Sequence, residues 1–256
     1  MLPLKNRCFA ILPEHAQSIL RRKLTLTEVP KGTRLSTIVR EPTLIFPITS
    51  VFAVTATSAD QNGLFLRFSG TGSVLGAVSE RCQKTIQYEG TSCVTGYILS
   101  LPSANAWDLL ESPMVLQAAT YKFLSAITKR ALCCAFCASN HSISQRLATL
   151  LLAAGDEFGS DRLITLTQEE LSRWLFVRRE SVASLLAEWS AAGVIETGRA
   201  KIHIRDRAGL LNKACACYQN AASLSAQEFD SWAGLSWQNE SFIETRRGNS
   251  QALSLG

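Results

Sequence analysis

At 256 residues, 46% of them hydrophobic and 18% charged, the chain is long enough for two domains with separate cores and too apolar to be a disordered segment. Its net charge of +5 permits an anionic partner without demanding one. Residues 141–220 carry ten basic against nine acidic side chains, so any contact with nucleic acid must come from local arrangement and not bulk charge.

The first twenty residues are interrupted by Lys5, Arg7, Glu14 and His15 and lack a continuous signal-peptide core. No later run approaches the length of a membrane span. Eight cysteines without a secretory signal point to a reducing cytoplasm and free thiols. A short helix is expected around Glu14–Lys23. From Thr25 to about Leu101 the chain reads as short strands, among them Thr43–Phe46, Val51–Thr55, Gly63–Phe68 and Cys93–Leu99. Pro30, Gly32, Pro42, Asn62-Gly63, Gly70, Gly76 and Gly90 punctuate them, which suggests a sandwich or roll.

After Pro102 the texture changes. Residues 113–140 contain no glycine and, beyond Pro113, no proline. Leu116, Phe123, Ile127, Cys134 and Cys137 follow one another at helical spacings and make one stripe of a helix about 40 Å long. Such a helix can serve as linker and dimer seam, or it can pack on its own roll. Ile143–Ala154 is amphipathic. Thr167-Gln-Glu-Glu170 is a capping box opening a short helix with Leu171, Trp174 and Leu175 inward. A second helix, from about Arg178 to Ala192, carries Val182, Leu185, Leu186 and Trp189 on one face and stops at Gly193. Two strands, Val194–Thr197 and Ala200–Ile204, flank Gly198-Arg199 as a hairpin. Helix, turn, helix and hairpin in that order make a winged helix-turn-helix.

These residues resemble a known family. Ile143-Ser-Gln-Arg-Leu147, Leu166-Thr-Gln-Glu-Glu-Leu171, Val177-Arg-Arg-Glu-Ser-Val182, Ala192-Gly-Val-Ile195 and Asp206-Arg-Ala-Gly-Leu210 are similar to the DNA-binding half of the Crp/Fnr transcription regulators. Ala214-Cys-Ala-Cys-Tyr218 resembles the close of one branch of that family, and Ile11-Leu-Pro13, Val29-Pro-Lys-Gly32 and Ile45-Phe-Pro47 fall where its sensor domain begins. The resemblance implies an α+β fold: an N-terminal antiparallel β-roll like a cyclic-nucleotide-binding domain (1–112), a long dimerisation helix (113–140) and a C-terminal winged helix-turn-helix (141–218). A polar tail (219–256) is expected to be loosely ordered. It also implies a homodimer on a palindromic double-stranded operator, with RNA polymerase a candidate further partner. Phe176 stands where the family usually has glycine in the turn, and Arg178 where a capping serine is common.

On the recognition helix the family motif Arg-Glu-x-x-x-Arg appears as Arg179-Glu180-Ser181-Val-Ala-Ser184. Arg179 can fork onto both major-groove acceptors of a guanine, and Glu180 can accept from a cytosine amino group. Ser184 is too short to enforce guanine. Thr167, Gln168, Ser181, Arg173, Arg178, Arg199 and Lys201 complete the expected DNA contacts, the four cations being suited to phosphates.

The family's cyclic-nucleotide pocket needs a loop glutamate for the ribose and an arginine for the phosphate. Here Ser73, within Gly72-Ser-Val-Leu-Gly76, stands for the first and Gln83-Lys84-Thr85 for the second, so neither cyclic AMP nor cyclic GMP is the expected effector; its identity stays open. Cys8 alone cannot hold an iron–sulfur cluster. Cys133, Cys134 and Cys137, with His141 a turn beyond, are read as packing residues in preference to metal ligands, and Cys215 and Cys217 as core. No cofactor or metal is therefore expected. With no phosphate loop, nucleophile elbow or paired carboxylates, an enzyme is not expected either; the rival reading is a ligand-binding adaptor or redox sensor with little DNA binding.

Overall fold

The computed structural model describes residues 6–39, 42–57, 63–76, 87–107, 113–158 and 163–233. The first described residue, Asn6, is buried. Asn6 Oδ1 accepts from the Phe9 N–H at 3.1 Å and caps a one-turn helix, α1 (Arg7–Ala10). Its Nδ2 donates to the carbonyls of Pro47 and Ser73, both at 2.9 Å, and so ties that turn to the strands that follow. Helix α2 (Glu14–Arg21) lies within its expected range. Cys8 and Phe9 of α1, Leu12 of the link that follows, and Ala16 and Leu20 of α2 pack onto Leu44, Phe46, Leu99 and Leu101.

The roll consists of β1 (Thr25–Val29), a short helix α3 (Leu35–Ile38), β2 (Thr43–Pro47), β3 (Phe52–Thr57), β4 (Gly63–Ser69), β5 (Gln87–Ser92) and β6 (Gly96–Pro102). All pairings are antiparallel, in two sheets ordered β1-β6-β2 and β4-β3-β5. Val29, Ile45 and Ile98 from the first sheet meet Phe52, Val54 and Leu66 from the second, the layered core that alternating strands permit. Gly76 closes the 70–76 loop at φ +78, and a Cβ there would come within 1.9 Å of the Thr43 carbonyl. The expected strand from Cys93 begins at Gly96, because residues 93–95 form the bend between β5 and β6.

After α4 (Ser103–Trp107), the long helix α5 runs Pro113–Asn140, as the run free of glycine predicts. Ser142 and Gln145 then form a capping box, unforeseen in the sequence, that restarts the chain as α6 (Ile143–Glu157). A short strand β7 (Leu163–Ile164) precedes α7 (Gln168–Leu175) and α8 (Arg179–Ala191). The hairpin of β8 (Ile195–Gly198) and β9 (Lys201–Ile204) follows, and β7 joins it through β9 as a third strand. The turn falls on Arg199-Ala200, one residue later than expected, and Ala200 takes a positive φ of 54. Asp206 caps α9 (Arg207–Lys213).

Two expectations need correction. The stretch from Gln219, read as the start of a loose tail, is helical to Ala233: α10 (Cys217–Ala233) lies along α5 and touches α1 and α6. Buried Arg130 of α5 fixes it by donating to Ala221 O at 3.3 Å and Ser225 Oγ at 3.0 Å. Residues 234–256 lie outside the described residues. Second, the roll and the winged helix share one apolar core. Val51, Ala53, Phe68 and Cys93 of the roll belong to the same cluster as Leu147, Leu151, Leu171 and Leu175.

Candidate nucleic-acid interface

The helix-turn-helix is held from inside. Val182, Leu186 and Trp189 on α8 and Leu171 and Leu175 on α7 are buried together with Leu147, Leu151, Ile164, Ile202, Ile204 and Leu210. Thr167 Oγ1 accepts from the Glu170 N–H at 3.1 Å and donates to Glu170 Oε2 at 2.8 Å, while that carboxylate also accepts from the Thr167 N–H at 2.7 Å. The capping box read from the sequence is therefore complete, and the Thr167 hydroxyl is committed to it.

The turn between the helices is a Schellman motif: Val177 N–H reaches Ser172 O and Phe176 N–H reaches Arg173 O. Phe176 sits in the left-handed region, φ 53 and ψ 47, so it adopts the conformation that glycine would. The Arg146 guanidinium donates to the Leu175 carbonyl beneath it. Gly193, φ 72, ends α8 with the same pair of bonds, Val194 N–H to Trp189 O and Gly193 N–H to Ser190 O.

With the apolar face turned inward, the opposite face of α8 is open. Arg178, Arg179, Glu180 and Ser184 are exposed there, and Ser181 and Gln168 are half-buried. Arg199 and Lys201 are exposed at the hairpin. None of Arg178, Arg179, Glu180, Arg199 and Lys201 has an ion-pair partner among the described residues, so Arg179 and Glu180 do not neutralise each other. Arg173 differs: it pairs with Glu169 at 3.8 Å one turn back. Lower on the wing, Arg205 donates to Glu196 across β8 and β9, which holds that carboxyl below its ordinary range. Arg178 precedes α8 as N-cap without making a side-chain cap bond, as its departure from serine foretells.

In the roll, Ser73 is turned onto Gly70 O at 2.9 Å and the Ser69 hydroxyl. Residues Gln83-Lys84-Thr85 lie outside the described residues. Along α5 the predicted stripe is corrected in its second half. Cys134 faces Leu66 O of β4 at 3.7 Å, and Cys137 faces Cys215 at 3.6 Å, both inward. The side chains of Leu116, Phe123 and Ile127 lie outside the described residues. Among the described residues, the large apolar side chains that α5 exposes are Tyr121 (75%), Leu132 (65%) and Phe136 (59%). Separations of eleven and four residues place all three on one face. Between β4, α5, α6, α7 and α10 lies a cavity of about 160 Å³, lined by Phe65, Arg67, Arg130, Cys134, Glu157 and Trp174 among others.

Residues 145–213 match the family model of the Crp-like helix-turn-helix domain. No curated protein sequence matches the chain. Among solved structures, FixK2 from Bradyrhizobium japonicum superposes with a TM-score of 0.58 at 15% identity, over 75% of this chain and 98% of that one. The CRP-family regulator TTHB099 from Thermus thermophilus gives 0.56 at 18% identity, over 73% and 96%. The CRP/FNR-family regulator TTHA1359 of the same organism gives 0.53 at 19%, over 74% and 98%.

Proposed function

The chain carries the helix-turn-helix domain of the Crp-like family on the fold of the Crp/Fnr regulators, and from that premise we propose that it is a transcription regulator binding a two-fold symmetric operator as a homodimer. The observation that carries this reading is the open face of α8, where Arg179 and Glu180 stand exposed, without an ion-pair partner among the described residues, opposite buried Val182, Leu186 and Trp189. Arg179 supplies the bidentate fork for a guanine and Glu180 the acceptor for a cytosine amino group. Arg178, Arg199 and Lys201 hold phosphates, adding affinity without reading sequence. Arg173, already paired with Glu169, gives up that weak surface pair when it meets a phosphate.

Tyr121, Leu132 and Phe136 form the seam through which two copies associate, so that two α8 helices address two half-sites about one helical turn of DNA apart. The roll answers to something other than a cyclic nucleotide, since Ser73 carries no charge for a ribose hydroxyl and its own hydroxyl is already bonded. A gel-shift with genomic fragments tests the reading. Discrete complexes with a subset of fragments, unchanged by millimolar cyclic AMP, are expected. Complete absence of retardation would instead favour a ligand-binding adaptor.

A further inference from the structure

Four side chains from distant parts of the chain converge where α5, α6 and α10 meet. Cys137 and His141 come from the end of α5 and the residue that follows it, one turn apart. Cys215 and Cys217 come from the link between α9 and the first residue of α10. Their donor atoms, three sulfurs and a ring nitrogen, all lie within 4.8 Å of one another. Cys137 Sγ is 3.6 Å from Cys215 Sγ, and Cys217 Sγ is 3.6 Å from His141 Nδ1. Zinc bonds of about 2.3 Å to sulfur and about 2.0–2.1 Å to nitrogen put the corners of a tetrahedron about 3.4–3.8 Å apart. Cysteines that merely fill apolar space turn their sulfurs toward carbon; here sulfur faces sulfur and nitrogen.

We propose that Cys137, His141, Cys215 and Cys217 bind one zinc ion in a closed, tetrahedral, structural site. Each cysteine gives up its thiol proton to solvent on binding, and neutral His141 ligates through Nδ1. Three thiolates and a divalent ion leave one net negative charge, and Arg146, whose guanidinium lies close enough to act on Cys137, opposes it. Thr149 supports the set from outside: its hydroxyl lies 3.2 Å from Cys215 Sγ and accepts from the Cys215 N–H at 3.3 Å.

The site joins elements that only tertiary structure brings together. It would clamp the end of the long helix, at the break between α5 and α6, to the segment leaving the winged helix, and so fix α10 along α5. Nitrogen and three sulfurs in a tetrahedron select zinc over hard cations.

The test uses the full chain, purified under reductant from zinc-supplemented cells. Elemental analysis is expected to give one zinc per chain, retained by Cys133→Ser and reduced at least tenfold in the Cys215→Ser/Cys217→Ser double variant. Circular dichroism checks that each variant is folded. Should the double variant fail to fold, cobalt(II) added to the metal-free wild type decides. Intense visible bands of tetrahedral cobalt with a thiolate charge-transfer band are expected, and the weak spectrum of six-coordinate cobalt overturns the proposal. Folded wild type without zinc, equal zinc in wild type and double variant, or a Cys137–Cys215 disulfide in place of metal also overturns it.

Discussion

Phe176 and Thr167 show how far single residues specify the site. The Thr167–Glu170 capping box is local, so four residues of sequence suffice to place the start of α7. Phe176 is also local, but it contradicts its own propensity: a bulky residue occupies a left-handed turn whose cost for a residue bearing a Cβ is about 1–2 kcal/mol. Its side chain is 54% exposed and contributes little burial in return. Phe176→Gly should therefore raise stability by about 1 kcal/mol in urea denaturation, the turn staying unchanged; a loss of stability would mean that the ring packs in a way the turn depends on. The cysteines mark the opposite limit. Cys137 and His141 are one turn apart and visible as a pair, but Cys215 and Cys217 reach them only after the winged helix has folded back, so chain spacing hides the cluster.

At the scale of elements, α5 is legible because its bounds are set by composition: proline at its start and no glycine within. Its facing is not. A stripe through Cys134 and Cys137 is as apolar as one through Leu132 and Phe136, and only packing against β4 and α10 decides which is buried. Helix α10 is hidden from the sequence for the same reason. Its serines, glutamines and alanines carry no strong periodic pattern, and its order comes from lying on α5 and from Arg130. If the exposed face of α5 is the seam, Leu132 and Phe136 each contribute about 1.5–3 kcal/mol when buried across it. Leu132→Asp/Phe136→Asp should give a folded monomer by light scattering; a persistent dimer would move the interface off this face.

For the molecule as a whole, the β-roll and the winged helix are packed against each other and not merely linked. Trp174 of α7 lies 5.3 Å from Phe65 and 5.7 Å from Phe68 of β4, and Phe158 meets Phe68 edge-on at 5.7 Å. Lys31 of the roll donates to Thr165 O and pairs with Glu170 at 3.8 Å. Glu157 of α6 is enclosed at this junction beside Gly70 and Arg67, and burial raises its carboxyl above the ordinary 4.5 even though Arg67 works against the shift. Between 4.5 and the raised value the folded chain keeps a proton that the unfolded chain has lost, so this group's contribution to stability falls as pH rises through that window. Glu157→Gln should melt higher than wild type at pH 7, with the difference vanishing below pH 4.5; a difference that grows on acidification would reverse the assignment. A junction of this kind joins the roll to α7 and hence to α8, the helix proposed above to contact DNA. Selection of binding sites from random duplexes by wild type and Arg179→Ala tests that contact most directly. Wild type should yield an inverted repeat, and the variant should bind it about 1–3 kcal/mol more weakly and lose preference at one position of each half-site. Identical consensus sequences from the two proteins would contradict it.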